Sequence, residues 1–347
     1  MQRHLVLRHE RSPFSLRIGT PSLLVLAGAL LATAIVATVA VSTGSFAIDP
    51  PELLRTLLGG GSHDTRFVVW DLRLPRLLSA VLIGAGLAIS GLIFQSVTRN
   101  PLAAPDILGI DSGAAFAAVA VIVAGSAMDL VPAAALTGGL VTAALMYLLS
   151  WKGGIGRYRL VLVGVALAAL LESLISWLLT TGEIWEVQRS VHWMLGSLYA
   201  TTWRDVATLV IVLGALSVLA ATLARGMTAL QLGDDMAAAI GVHTERTRLG
   251  LLVVAVGMAS ICVAVAGPIA FVAFVAPHMA RRLARSSGAG IIPATAAIGA
   301  LLLVGADTIG RFVGGGTDLP VGIVTIAIGA PWFLWLLFRA DREGARA

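Results

Sequence analysis

The chain has 347 residues, of which 58% are hydrophobic and only 12% are charged. Soluble domains carry about 25% charged residues, so this composition excludes an ordinary soluble fold and predicts a polytopic membrane protein. The net charge of +5 comes from arginines scattered over the predicted loops, without the basic stripe and interleaved aromatics typical of nucleic-acid binding. We therefore expect no nucleic-acid partner.

Uncharged runs near the ~20 residues that a spanning helix needs follow one another along the chain. The first, 18–48, lies behind a basic N-terminal segment and is too long for the apolar core of a signal peptide, which predicts a retained helix. Further spans are predicted at 77–98, 112–128, 130–151, 160–180, 206–224, 286–306 and 319–338.

Residues 249–280 fit either one long tilted helix or two short helices broken at Gly267 and Pro268. Two helices bring the total to ten, place both termini in the cytoplasm and put most basic residues on that side. A single helix would leave Arg281, Arg282 and Arg285 outside, against the positive-inside rule. We therefore predict an all-α polytopic membrane protein of about ten transmembrane helices, forming one domain over residues 1–347.

On this count, residues 225–248 form the longest internal cytoplasmic loop. Leu232, Met236 and Ile240 recur there at helical spacing, with Gly233 or Asp234 at the start and Gly241 at the end. A helix of about two turns is barely stable alone in water, so something must hold it.

Two acids lie in or next to predicted spans, Glu172 and Asp307. A charge at that depth costs roughly 2.5–3.5 kcal/mol, so proton relay is one interpretation of both residues. The alternative for Asp307 is an ion pair with Arg311, one turn later. Asp111, beside Ser112, is interpreted as a local cap or hinge.

Three arginines, Arg73, Arg76 and Arg311, would lie on the outer side, against the inside bias. Docking of an acidic partner and binding of lipid phosphate both explain them. At the cytoplasmic end of the second span, the stretch 98–109 contains Asn100, Pro101 and Pro105, a candidate gate or a simple tight connection.

The sequence contains no paired-cysteine metal motif, HExxH, phosphate-binding glycine loop or nucleophile elbow. The six histidines never fall at ligand spacing on one helix. We therefore predict no catalytic residue, no metal site and no cofactor on this chain, and we expect that it is not an enzyme.

Four segments carry a resemblance to a known family: RLPRLLSAVLIGAGLAISGLIFQSVTRNPLAAPDILGIDSGAAFAAV (73–119), LGDDMAAAIGV (232–242), AGPIAFVAFVAPHMARRL (266–283) and DLPVGIVTIAIGAPWFLWLL (318–337). They resemble the FecCD family of ABC importer permeases, the type II membrane subunits for iron-siderophore, haem and cobalamin uptake. The chain departs from the family pattern at Ala273 and Phe274, usually Gly-Leu, and at Asp318, usually Glu.

The resemblance implies a type II importer fold of ten helices that works as a dimer, with an identical or similar permease, on two ATPase subunits that hold ATP and Mg. It implies that the loop after the sixth helix contacts the ATPase through Leu232, Gly233, Asp234, Asp235, Met236, Ala237, Ile240 and Gly241. It also implies that Arg73, Arg76 and Arg311 receive acidic groups of an extracytoplasmic substrate-binding protein. The two loop carboxylates either cap the helix or meet basic residues of the ATPase.

The predicted function is therefore that of the permease subunit of an importer in the cytoplasmic (inner) membrane, carrying a ferric siderophore, with membrane lipid around it. Cobalamin or haem is the alternative cargo. A proton-coupled secondary transporter that uses Glu172 and Asp307 is the alternative from another class.

Overall fold

The computed structural model describes residues 4–8, 15–44, 46–151, 157–314 and 318–344, which are almost entirely helical. An antiparallel pair of strands, β1 (His4–Arg8) and β2 (Ser15–Gly19), precedes the first helix, with His4 opposite Gly19. These strands were not predicted from the sequence.

The helices follow in chain order, with a π-helical stretch, Phe67–Arg73, leading into the fourth. They are α1 (Thr20–Ser42), α2 (Pro50–Leu57), α3 (His63–Arg66), α4 (Leu74–Thr98), α5 (Ile110–Val123), α6 (Val131–Ser150), α7 (Arg157–Thr181), α8 (Ile184–Met194), α9 (Trp203–Gln231), α10 (Asp234–Ala239), α11 (Thr244–Ala266), α12 (Val272–Ala284), α13 (Ile292–Val313) and α14 (Val321–Gly344).

Seven helical stretches in the described part of the chain are long and apolar enough to cross a membrane. They are Thr20–Ser42, His63–Thr98, Met128–Ser150, Tyr158–Thr181, Trp203–Gln231, Thr244–Ala266 and Ala289–Val313. Two shorter apolar helices, Ile110–Val123 and Val321–Trp335, join them. Helix α12, of 13 residues, is the second half of the region 249–280, so the break predicted at Gly267 and Pro268 is confirmed.

Several predicted boundaries differ from the structure, and three of them matter for the site. The first helix ends at Ser42 and does not reach residue 48. Helix α9 continues to Gln231 and α11 begins at Thr244, so the connection that carries α10 is shorter than the predicted 225–248. Helix α13 extends past residue 306 to Val313, which places Asp307 inside the helix instead of at its end.

Helix α4 is the centre of the bundle, and its surface is largely buried against α9, α11, α12 and α13. Glycines allow this close packing: a Cβ on Gly84 would lie 2.4 Å from the carbonyl oxygen of Gly299, and one on Gly91 would lie 1.7 Å from that of Ala273. At ~1.5 Å per residue the 25 residues of α4 span ~37 Å, so its two ends mark opposite ends of the bundle.

Candidate functional site

One end of the bundle carries the short helix α10. Gly233 opens it with a φ of 120° and Gly241 follows it with a φ of 83°, conformations that favour glycine. Ala237 is fully buried against the bundle, whereas Leu232, Met236 and Ile240 are 66%, 55% and 58% exposed. The three large apolar side chains thus form an outward surface, which we call the α10 apolar face. Such a contiguous face is typical of a protein interface.

Asp234 ties α10 to two other parts of the chain. Its Oδ1 accepts a hydrogen bond from Arg99 at 3.1 Å, and its Oδ2 accepts one from Arg248 at 3.0 Å. Arg99, directly after α4, also donates to the carbonyl oxygen of Leu230 in the last turn of α9. Arg248 is 3% exposed and pairs with Glu245 at 2.6 Å. Asp235 is exposed and makes no hydrogen bond or ion pair with the other described residues.

The two adjacent carboxylates therefore have different roles, and a matched pair of substitutions separates them. We expect Asp234→Ala to lower the unfolding free energy by about 1–3 kcal/mol, because two guanidinium groups lose a charged hydrogen-bond partner. We expect Asp235→Ala to stay within about 0.5 kcal/mol of the wild type, as exposed substitutions usually do. Thermal denaturation of the purified chain measures both; equal melting temperatures for the two variants would contradict the network.

The connection 99–109 runs from this network into the bundle. Arg99 has a left-handed φ of 51°, and the Asn100 Oδ1 accepts a hydrogen bond from the Leu102 N–H at 2.9 Å. Pro101 is exposed and Pro105 is buried. Farther along, the Asp106 Oδ2 accepts a hydrogen bond from the Phe271 N–H at 3.2 Å, in the break between α11 and α12. The connection thus joins the α10 network to that break; a gating role for Asn100, Pro101 and Pro105 stays a prediction.

The opposite end of the bundle holds the three arginines that the sequence singled out. Arg73 donates to the carbonyl oxygens of Val41 and Phe46, and Arg311 donates to that of Ala40. Ala40 and Val41 lie in the last turn of α1, whose carbonyls have no partner within the helix. Both guanidinium groups therefore fasten α1 to the rest of the bundle.

Arg76 is buried and forms two ion pairs. Its Nε and Nη2 donate to the carboxylate of Asp307, with Nη2 to Oδ1 at 2.8 Å, and its Nη1 donates to Asp318. The alternative partner predicted for Asp307 was Arg311, and no ion pair joins those two described residues. Asp307 thus forms an ion pair with Arg76 and not with Arg311, and a proton-relay role for it stays a prediction.

A cavity of about 250 Å³ lies where α5, α7 and α14 meet the break between α11 and α12. Glu172 lines it and is exposed, with its Oε1 accepting a hydrogen bond from the Ser112 hydroxyl at 3.4 Å. Asp307 does not line it, so the structure does not bring the two intramembrane acids together. Within the described residues, no three His, Cys, Asp or Glu side chains are grouped closely enough to form a metal-ligand set.

The sequence analysis missed Arg99, Asp106 and Arg248 as members of these networks. For Arg99 and Asp106 the partners lie far away along the chain, 135 residues for the hydrogen bond from Arg99 to Asp234 and 165 for that from Phe271 to Asp106. The partners of Arg248 are nearer, 14 residues away for Asp234 and 3 for Glu245. One sequence signal indicated that these groups could meet. Arg99, Arg248, Asp234 and Asp235 were all predicted on the cytoplasmic side of the membrane.

Both the sequence and the fold are similar to those of known transport proteins. Residues 29–339 match the FecCD transport family. The ferric enterobactin transport system permease protein FepG of Escherichia coli is 37% identical over 87% of this chain and 91% of its own length. The cobalamin import system permease protein BtuC of Halobacterium salinarum is 38% identical over 82% of this chain and 76% of its own. A solved inward-facing conformation of a metal-chelate type ABC transporter covers 91% of this chain and 99% of its own, with a TM-score of 0.83 and 28% identity.

Proposed function

Because the chain belongs to the FecCD transport family of ABC importer permeases, we propose that it carries a ferric siderophore across the cytoplasmic membrane, with both of its termini in the cytoplasm. The observation that carries the importer mechanism is the α10 apolar face, at one end of a bundle whose core is α4. Three exposed apolar side chains grouped on one short helix are typical of a contact with a partner protein, which an ATP-driven importer requires. ATP and Mg are bound and used by a partner ATPase in this proposal, not by this chain.

In this proposal the ATPase docks on the α10 apolar face, and its movement is transmitted to the bundle from there. Movement of α10 displaces Asp234. Arg99 and Arg248, which are bonded to Asp234, transmit the displacement to the ends of α4, α9 and α11. The connection 99–109 then carries it to the break before α12 through Asp106 and Phe271. Short, broken helices are elements that can rearrange while the bundle core stays packed.

A second permease subunit is part of the same proposal. Glu172 lies on the exposed side of α7, where contact with lipid would cost roughly 2.5–3.5 kcal/mol. A partner permease or a water-filled route along this face removes that cost. The exposure of Glu172 thus supports a dimer, identical or mixed, with its route beside α7.

A substrate-binding protein is proposed to dock at the opposite end, as the resemblance implied for Arg73, Arg76 and Arg311. In the isolated chain these side chains bond internally, so they set the shape of the docking surface. Arg55 and Arg66, which are exposed beside them and form no ion pair with other described residues, add free positive charge for acidic groups of the partner.

Uptake by cells that lack the gene for this chain tests the cargo. We expect the deletion to abolish uptake of 55Fe-loaded ferric siderophores, with a plasmid copy restoring it, and to leave uptake of 57Co-cyanocobalamin and of haem unchanged. Loss of cobalamin or haem uptake with intact siderophore uptake would favour the alternative cargo. Siderophore uptake that stops with a protonophore while cellular ATP is maintained would favour the proton-coupled transporter.

A further inference from the structure

The cavity beside α7 is lined by acids without a balancing base. Asp106, Asp111, Ser112 and Glu172 provide its polar lining, and the remainder is apolar side chains and glycine. No Arg, Lys or His lines it among the described residues, and none of its three carboxylates takes part in an ion pair there. When ionised, its carboxylates are hydrogen-bond acceptors only, and the Ser112 hydroxyl already faces Glu172.

Among the acids of the cavity, Asp111 is the one with an unsatisfied side-chain oxygen. It is 7% exposed, lines the cavity, and its Oδ1 is buried without a hydrogen-bond partner in the described structure. The sequence suggested a cap or hinge, but no side chain caps the start of α5. A buried acceptor without a donor costs about 1–3 kcal/mol, more if it is charged, so a donor or a cation from outside the chain would relieve that cost.

The arrangement of the carboxylates narrows the class of ligand. They are not grouped as a metal-ion ligand set, which argues against a divalent ion that needs six or more oxygens at short, fixed distances. A monovalent cation tolerates looser coordination, with water filling the remaining positions, and an ammonium group offers three donors to separate acceptors. The volume of about 250 Å³ leaves room for either with water.

We propose that this cavity is a binding site for a monovalent cation, either an alkali-metal ion or the ammonium group of a cargo molecule. Glu172, exposed at the cavity surface, marks the entrance, and Asp111 is the inner acceptor. The ammonium form rests on the proposed function, because it requires the cavity to border the transport route, whereas the alkali-ion form does not.

Thermal denaturation of the purified, detergent-solubilised chain tests the site without any ATPase, so its result is independent of the importer assignment. The probes are sodium, potassium and methylammonium chloride, each compared with N-methyl-D-glucamine chloride at equal ionic strength. We expect a saturable rise in melting temperature with at least one small cation. A response to sodium or potassium identifies an alkali-ion site, and a response to methylammonium alone identifies an ammonium site.

Variants connect the response to the cavity. Asp111→Asn should abolish the rise and Glu172→Gln should weaken it, whereas Asp71→Asn, which changes an exposed acid away from the cavity, should leave it intact. If Asp111→Asn does not fold, Glu172→Gln carries the comparison, because that side chain is exposed. The proposal is wrong if no small cation raises the melting temperature, or if the cavity variants respond like the wild type.

Discussion

Met236→Arg is expected to weaken binding of the chain to the proposed ATPase subunit by at least about 30-fold, the ~2 kcal/mol that defines an interface hot spot. Met236 lies at the centre of the α10 apolar face, between Leu232 and Ile240. Each such side chain contributes about 1.5–3 kcal/mol when it is buried. Arginine at this position would remove that contribution and place an unpaired charge in the contact.

A matched variant on the same helix isolates the effect of position from that of charge. Ala238 is also exposed but lies about 200° around the helix from Met236, so Ala238→Arg adds the same charge on another side. We expect it to bind the ATPase more tightly than Met236→Arg does. Co-purification from detergent, followed by a titration with labelled ATPase, measures both, and the melting temperature of each variant should match the wild type. Equal binding of wild type and Met236→Arg would remove α10 as the coupling element.

The sequence predicted the parts of this fold that depend on local composition. Uncharged runs located the long helices, and the distribution of arginine predicted the break at Gly267 and Pro268 without any structural information. The spacing of Leu232, Met236 and Ile240 predicted α10, because an i, i+4, i+8 pattern describes one helical face. The uncharged runs and the α10 spacing are local signals, whereas the arginine distribution is a comparison over the whole chain.

What the sequence could not predict is which distant groups meet. Arg76 and Asp307 are 231 residues apart, and no periodicity extends over that separation. An arginine that docks a partner and one that fastens two helices also look the same in sequence, since both stand out only as positive charge on the outer side. In the structure the guanidinium groups of Arg73 and Arg311 bond to carbonyls of α1, so both fasten helices, and docking of a partner at these residues stays a prediction.

Asp307→Asn is expected to lower the unfolding free energy of the chain by about 3–5 kcal/mol, the effect of removing one partner from a buried ion pair. Arg76 and Asp307 are 9% and 6% exposed, so solvent screens their interaction little. Asp318→Asn should lower the unfolding free energy by less than Asp307→Asn does, because the Asp318 side chain is 33% exposed. Thermal denaturation of the three proteins measures this order.

A double replacement separates a structural ion pair from a proton relay. Replacing a buried pair by apolar residues of similar volume is often neutral, so Arg76→Met with Asp307→Leu should recover part of the stability that Asp307→Asn loses. The recovery is incomplete because Arg76→Met also leaves the 33% exposed Asp318 side chain without its partner. If Asp307 only pairs with Arg76, the double variant should also recover siderophore uptake. If Asp307 carries protons, the double variant folds but remains inactive, because neither new side chain can bind a proton. Recovery of stability without recovery of uptake would contradict a purely structural role for the pair and leave two explanations, proton transfer by Asp307 or docking of the binding protein at Arg76.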